Sequence, residues 1–337
     1  MTARVFVAGL VMAAAVAAPA LAAAPQDTKP ASPRPQAAAP ARPEATREQA
    51  LQRADAALAA GRRGEAAQLY AEAADRFQSV EALLKGARLQ SAGGDARGAM
   101  ASLERARELA PNSEEVLSAY AQLALAARAL LPAVATLEAL ARMCPTVAQY
   151  HYWLGVGLMQ AGDMVPALEA LQRADQLDPD KPLTLAALGL AMNVRKMYGE
   201  ARVVLMRSLG HDPDSVETIA ALAEAEAGLG NVDAAESYAQ RALAKAPNNA
   251  TANLATGLAH MQRGRFAEAI AAFQASLASE STNPKVYYQL SLAHARLGDD
   301  ANAQKFVELY KQKLDEMEQH VMMVRRETGF STGGMIR

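Results

Sequence analysis

Apolar residues recur along most of the chain at the three- and four-residue spacing of an amphipathic helix, in short segments separated by turns. In residues 157–180, GLMQAGDMVPALEALQRADQLDPD, two such segments flank the pair Gly162-Asp163. A glycine between segments suits the left-handed residue at which many helices end. The glycines at this place are Gly61, Gly94, Gly162, Gly230, Gly264 and Gly298. The pattern therefore predicts a series of antiparallel helix pairs.

The helix pairs follow a fixed period. Prolines at positions 111, 145, 179, 213 and 247 are each 34 residues apart, and such a period is the signature of a repeat architecture. The period defines the windows 47–79, 80–113, 114–147, 148–181, 182–215, 216–249, 250–283 and 284–317. Two helices per window give about sixteen in all. The first window is one residue short and lacks the proline, and Arg128 replaces the turn glycine in the third, where we expect a looser turn.

Small residues recur inside the repeats. Leu154-Gly155 and Leu188-Gly189 lie in first helices, and an alanine lies early in each second helix, ahead of the proline. These alanines are Ala66, Ala99, Ala133, Ala167, Ala201, Ala235, Ala269 and Ala303. In this combination the chain resembles the tetratricopeptide repeat (TPR) family over residues 47–317. The resemblance implies an all-α, right-handed α-solenoid of about eight helix-turn-helix repeats, whose concave face is lined by the first helices.

The last helix continues past the repeats. Neither Pro nor Gly occurs from Ala301 to Thr328, which predicts a helical extension over 318–328 and a mobile tail over 329–337. Apolar residues form a heptad-like seam along it: Val307, Tyr310, Leu314, Met317, Val321 and Val324. The seam fits two interpretations, a capping helix folded on the last repeat or a short dimerisation helix that would give a homodimer.

The N-terminus has the pattern of an export signal. Arg4 precedes an apolar run over 5–18 and the small-residue site Ala20-Leu21-Ala22, which predicts a signal peptide over 1–24. Six prolines in 25–45 predict a disordered, Pro/Ala-rich linker. We therefore expect an exported, periplasmic protein. The alternative is an uncleaved signal segment that anchors the chain in the inner membrane, facing the periplasm.

Composition narrows the function classes. Hydrophobic residues make up 51% and aromatic residues only 5%, so that alanine and leucine must build the core. A net charge of −2 gives no basic stripe for nucleic acid. The motifs GxxxxGK[ST], HExxH, GxSxG and CxxC do not occur, and Cys144 is the single cysteine. The sequence thus predicts no enzyme, no cofactor, no metal site and no internal disulfide.

The concave face is the predicted binding surface. Projecting the repeats onto it gives a largely apolar groove from the fourth repeat onward, interrupted by Glu217 and Glu224. The partner-binding candidates are Tyr152, Trp153, Val156, Met159, Leu183, Leu190, Leu254, Leu258, Met261, Tyr288 and Leu292. Met and Tyr suit a partner helix or an extended segment. The alternative is that tight curvature buries much of this stripe within the solenoid.

We therefore predict a protein-interaction scaffold or adaptor of the bacterial cell envelope, which docks a partner peptide or helix in the concave groove. Two alternatives remain open. One is an oligomeric structural component of an envelope secretion or polysaccharide-export assembly, and the other is a periplasmic holding chaperone for unfolded clients.

Overall fold

A computed structural model describes residues 46–328, which form sixteen α-helices and no β-strand. The predicted signal peptide (1–24), linker (25–45) and tail (329–337) lie outside the described residues. The helices are α1 (Arg47–Ala59), α2 (Arg63–Phe77), α3 (Val80–Ala92), α4 (Ala96–Leu109), α5 (Glu114–Ala126), α6 (Leu130–Met143), α7 (Ala148–Ala161), α8 (Met164–Leu177), α9 (Pro182–Val194), α10 (Tyr198–His211), α11 (Val216–Leu229), α12 (Val232–Lys245), α13 (Ala250–Gln262), α14 (Phe266–Ser279), α15 (Pro284–Arg296) and α16 (Asp300–Thr328).

Each predicted window contains two helices, and each helix packs against the one before it and the one after it. This arrangement is the predicted α-solenoid of eight helix pairs. Side-chain caps fix where several first helices begin. Ser79, Ser113, Ser215 and Asn249 each accept a hydrogen bond from a backbone N–H three residues on, which satisfies a donor that the helix start leaves free.

The turn inside each pair uses a left-handed residue. Gly162 has φ +87°, and Arg128 and Lys196 take the same conformation with φ +56° and +59°. A non-glycine residue in this region costs about 1–2 kcal/mol. The third repeat therefore keeps the turn geometry of its neighbours, at a local energetic cost, and the fifth repeat shares this feature at Lys196.

Glycine in the first helices permits close helix packing. A Cβ atom on Gly189 would lie 2.4 Å from Cγ of Leu205 in α10, and one on Gly257 would lie 2.3 Å from Cε1 of Phe273 in α14. Leu205 and Phe273 are fully buried. The Leu-Gly pattern thus has a direct physical reason, because the large side chain of the second helix occupies the space above the glycine.

The last helix, α16, runs for 29 residues without a break. It packs on α15 and then contacts α6 and α7, which belong to the third and fourth repeats. The rings of Tyr310 and Tyr288 lie 5.4 Å apart, and Val324 is buried. The predicted seam is therefore used inside the chain, which favours capping over dimerisation. The cap extends beyond the last repeat, because α16 is long enough to reach the third and fourth repeats.

One carboxyl group is buried on α6. Glu138 is only 8% exposed, and its Oε1 atom has no hydrogen-bond partner among the described residues. Burial raises the pKa of Glu138 to about 7, against the opposing charge of Arg142. Residues at the equivalent position of other repeats are exposed: Glu104, Gln172, Gln240 and Gln274. The difference coincides with α16, which contacts α6 and has no counterpart against their helices.

Adding a methyl group at Gly189 should destabilise the fold. Gly189→Ala places Cβ against Leu205, and we expect a loss of about 1–3 kcal/mol in the free energy of unfolding. Gly210→Ala in α10 is the matched control, since a Cβ there meets nothing within 4 Å. Removing this helical glycine should stabilise by up to about 1 kcal/mol. Urea unfolding followed by circular dichroism checks both; equal effects of the two substitutions would contradict the packing account.

Glu138 should make stability depend on pH. The folded chain holds the proton of the Glu138 carboxyl group more tightly than the unfolded chain does. The stabilisation that comes from this proton is therefore present at low pH and is lost as pH rises through about 7. We expect Glu138→Gln to be more stable than the parent by about 1–3 kcal/mol at pH 8, and by less than about 1 kcal/mol at pH 4. Urea unfolding at both pH values tests this. A difference that is the same at pH 4 and pH 8 would rule out the raised pKa.

Candidate partner-binding site

The first helices of the fourth, fifth and sixth repeats enclose a cavity of about 270 Å³. We call it the groove cavity. It brings together five predicted residues: Tyr152, Val156, Met159, Leu183 and Leu190. Gln160, Pro182, Ala186, Ala187, Asp212, Ser215 and Glu217 complete its lining. The predicted residues of α7 and α9 thus lie together in one concave depression.

The groove cavity combines apolar walls with an acidic edge. Leu183 is 70% exposed, while Tyr152 and Met159 are partly buried. Burial raises the pKa of the Tyr152 hydroxyl, so that it stays protonated and can donate a hydrogen bond. Asp212 and Glu217 line the edge, and neither forms an ion pair with another described residue. The cavity can therefore take apolar side chains and a nearby basic group.

Trp153 does not line the groove cavity. Its ring lies 5.8 Å from that of Tyr150 and packs against the core of the third and fourth repeats. The Tyr150 hydroxyl donates a 2.6 Å hydrogen bond to Glu114 of α5. Burial and this carboxylate raise the pKa of Tyr150 to about 12. The aromatic cluster of α7 therefore divides, with Tyr152 facing the cavity and Trp153 lying on the core beside Tyr150.

The predicted groove does not continue through the seventh repeat. Leu254 is 2% exposed, so its prediction as a partner contact is wrong. The reason is that α13 packs directly on α11 and α15, with alanines at the interface. Leu258 and Met261 are partly buried against the same core. Tyr288 and Leu292 are exposed on α15 but do not line the groove cavity.

An ion pair spans the inner face beyond the cavity. The ammonium group of Lys285 in α15 lies 2.7 Å from Oε1 of Glu224 in α11 and 3.3 Å from the hydroxyl oxygen of Tyr198. Burial disfavours the charged Lys285, but the charge and hydrogen bond of Glu224 outweigh it and raise the pKa of Lys285. The pair links the sixth and eighth repeats directly. Glu224, predicted to interrupt an open groove, is instead a buried partner.

A second cavity of about 490 Å³ lies on the second and third repeats and is more polar. Its polar lining consists of Arg88, Ser91, Ser118 and Gln122. Arg88 lies 3.0 Å from Glu115, and the neighbouring Lys85 lies 2.9 Å from Asp55. These cations are therefore neutralised within the chain, which makes this cavity a weaker candidate for an acidic partner.

The sequence projection missed the contribution of the loop before α11. Asp212 and Ser215 reach the groove cavity from this loop, although the projection used first-helix positions alone. The available signal was the acidic DPDS stretch, residues 212–215, directly before Val216. Over residues 46–328, no cluster of three or more His, Cys, Asp or Glu side chains could hold a metal ion. Within the same range, no helix has both the length and the apolar character of a membrane span.

Stacked helix pairs with a partly apolar inner face define an α-solenoid repeat protein. Two family models, both described as tetratricopeptide repeat, match the chain, one over residues 119–182 and 220–284 and the other over 81–113. With the fold, these matches place the chain in the tetratricopeptide repeat family. Proteins of this family are generally scaffolds for protein–protein interaction rather than enzymes. A search of curated protein sequences gives no match.

Two solved structures illustrate the similarity in fold. A tetratricopeptide repeat protein from Parabacteroides merdae superimposes with a TM-score of 0.56 at 13% identity, covering 73% of this chain and 98% of that one. The APC/C hetero-tetramer Cut9–Hcn1 gives a TM-score of 0.55 at 18% identity and covers 73% of this chain. This chain spans 49% of the length of that second protein.

The Lys285–Glu224 pair should contribute measurably to stability. Glu224→Leu leaves a partly buried ammonium group without its partner, and we expect a loss of about 1–3 kcal/mol. Replacing both residues, as Glu224→Leu with Lys285→Met, should recover most of that loss. The exposed pair Arg88–Glu115 is the control, and Glu115→Leu should change stability by less than about 1 kcal/mol.

Urea unfolding of the two single variants and the double variant measures the coupling between Lys285 and Glu224. A double variant that is no more stable than Glu224→Leu alone would show that the pair does not act as a unit.

Proposed function

We propose that this chain is a non-enzymatic scaffold or adaptor that docks a segment of a partner protein in the groove cavity. The observation that carries the proposal is the convergence of five apolar or amphipathic side chains from α7 and α9 in one open depression. Leu183 is the main exposed apolar group there. An exposed apolar depression on a folded protein is a characteristic feature of a binding surface.

The lining also defines the kind of segment that fits. Tyr152 and Met159 can adapt to different apolar side chains, since Met is flexible and Tyr is amphipathic. Asp212 and Glu217 would favour a basic residue beside the apolar anchors. The proposed ligand is thus a short helix or extended segment that has apolar anchors and a flanking Lys or Arg.

The similar Cut9–Hcn1 structure offers an analogy, because it is a hetero-tetramer of two different proteins. From that structure we take only the general mode of action, which is assembly with a second protein. The groove residues of this chain, and not that likeness, define the proposed contact.

The proposal places the scaffold in the bacterial cell envelope, on the periplasmic side. Its support is the signal-peptide pattern of residues 1–24 and the proline-rich stretch 25–45. Cell fractionation with N-terminal sequencing of the purified protein tests this location. A new N-terminus near residue 23 or 25 in the periplasmic fraction is expected, whereas cytoplasmic protein that retains Met1 would contradict it.

Photo-crosslinking tests the proposed contact. A benzoylphenylalanine at Met159 should capture a partner protein in living cells, since Met159 lines the groove cavity. The matched control is the same probe at Gln172, which is exposed on α8 outside the cavity. Leu183→Asp should reduce capture at Met159 by about tenfold, since it puts a third carboxylate in the cavity and removes an exposed apolar anchor.

Mass spectrometry of the captured species gives the result. Capture of the same proteins at Met159 and Gln172, or capture at Met159 that Leu183→Asp leaves unchanged, would rule out the groove cavity as the docking site.

A further inference from the structure

The C-terminal third of α16 makes a charged contact far across the chain. The guanidinium group of Arg325 binds the carboxylate of Asp163 through two hydrogen bonds, 2.6 Å from Nε to Oδ2 and 2.7 Å from an amino nitrogen to Oδ1. The Asp163 side chain is only 3% exposed. Paired bonds of this geometry are among the stronger charged contacts in proteins. The two residues are 162 positions apart in the sequence.

Apolar contacts accompany this ion pair. Val324 is 1% exposed and belongs to the core cluster of α5, α6 and α7. The turn residue Gly162 lies against Met317 and Val321, because a Cβ there would be 3.1 Å from a side-chain carbon of each. Met317, Val321 and Val324 are spaced i, i+4 and i+7, which places them on one face of α16. The face ends at Arg325, at i+8.

These contacts connect parts of the solenoid that its repeat architecture keeps apart. In a solenoid each repeat contacts its neighbours, and the spacing between distant repeats is free to change. Here α16 starts in the eighth repeat and ends against the third and fourth. A bridge of this kind limits how far the superhelix can open.

We propose that residues 317–326 form a clasp that binds a helix-docking surface on α6 and the α7–α8 turn, and that release of the clasp widens the concave face. The surface fits an amphipathic helix with apolar residues at i, i+4 and i+7 and an arginine at i+8. In this chain α16 is that helix. The proposal is independent of which partner the groove cavity binds.

The contact is small enough to exchange. It includes one ion pair and three apolar side chains, whereas the preceding part of α16 packs on α15. Releasing it without a substitute would lose the two hydrogen bonds between Arg325 and Asp163 and would expose the apolar side chains of Met317, Val321 and Val324 to water, which is costly. A helix that presents the same four residues would remove that cost. The clasp is therefore displaced most readily by a segment of its own chemistry.

Hydrogen exchange on the full chain tests the clasp. In Arg325→Glu, the amides of residues 317–326 should exchange at least about tenfold faster, and the radius of gyration from small-angle X-ray scattering should increase. Arg326→Glu is the matched control, since this neighbouring side chain is exposed and should change neither quantity. The charge-reversed pair, Asp163→Arg with Arg325→Asp, should restore slow exchange.

Three results would overturn the proposal. One is the same exchange in Arg325→Glu and Arg326→Glu, and another is fast exchange that spreads through α7–α12, which would indicate general unfolding in place of release. The third is a dimer that keeps residues 317–326 protected, which would show that α16 is exchanged between copies and would overturn closure within one chain.

Asp163→Asn gives a second route to the same comparison if Arg325→Glu does not fold.

A peptide with the sequence of residues 315–328 tests the helix-docking surface directly. It should bind the Arg325→Glu chain at least about tenfold more tightly than the parent chain, whose site its own helix occupies. The same peptide carrying glutamate in place of the arginine equivalent to Arg325 is the control. Equal binding to both chains, or no binding to either, would overturn the assignment of this surface.

Discussion

The close approach of neighbouring helices is the constraint on which the rest of this structure depends. Glycine or alanine at the packing positions of the first helices lets a large side chain from the second helix fill the space, as Leu205 does over Gly189. A well-packed interior of this kind tolerates little change in volume. Because the same small residues recur every 34 positions, each repeat stacks on the next in a similar way.

How closely neighbouring helices approach each other determines where the inner face of the solenoid is open. Around α11 and α13 the helices lie so close that Leu254 is buried and Lys285 reaches Glu224 across the intervening repeat. Around α7 and α9 the inner face leaves the groove cavity, where Leu183 stays exposed. The eighth repeat is then joined to the third and fourth repeats through α16. The closely packed part of the inner face and the open groove cavity are thus both consequences of one pattern of helix packing.

The fold follows from the sequence because its signal is periodic and local. Turn glycines, cap residues and the alanine of each second helix identify the helix pairs directly. The site depends on curvature, which is the sum of small rotations between repeats and leaves no trace in the periodicity. Projection therefore placed Tyr152 and Leu183 correctly on one surface, while it missed the burial of Leu254. The heptad seam of α16 was visible, but its contact with Asp163 depends on the whole superhelix.

We propose that the first helices of the fourth and fifth repeats form the docking surface of this scaffold. Hydrogen exchange measured on the chain with and without its crosslinked partner protein tests it most directly, because a bound segment slows exchange where it covers the surface. We predict slower exchange in α7 and α9, with little change in α8 and α10. Protection of α8 and α10 instead would contradict the claim, since it would place the partner on the opposite face of the solenoid.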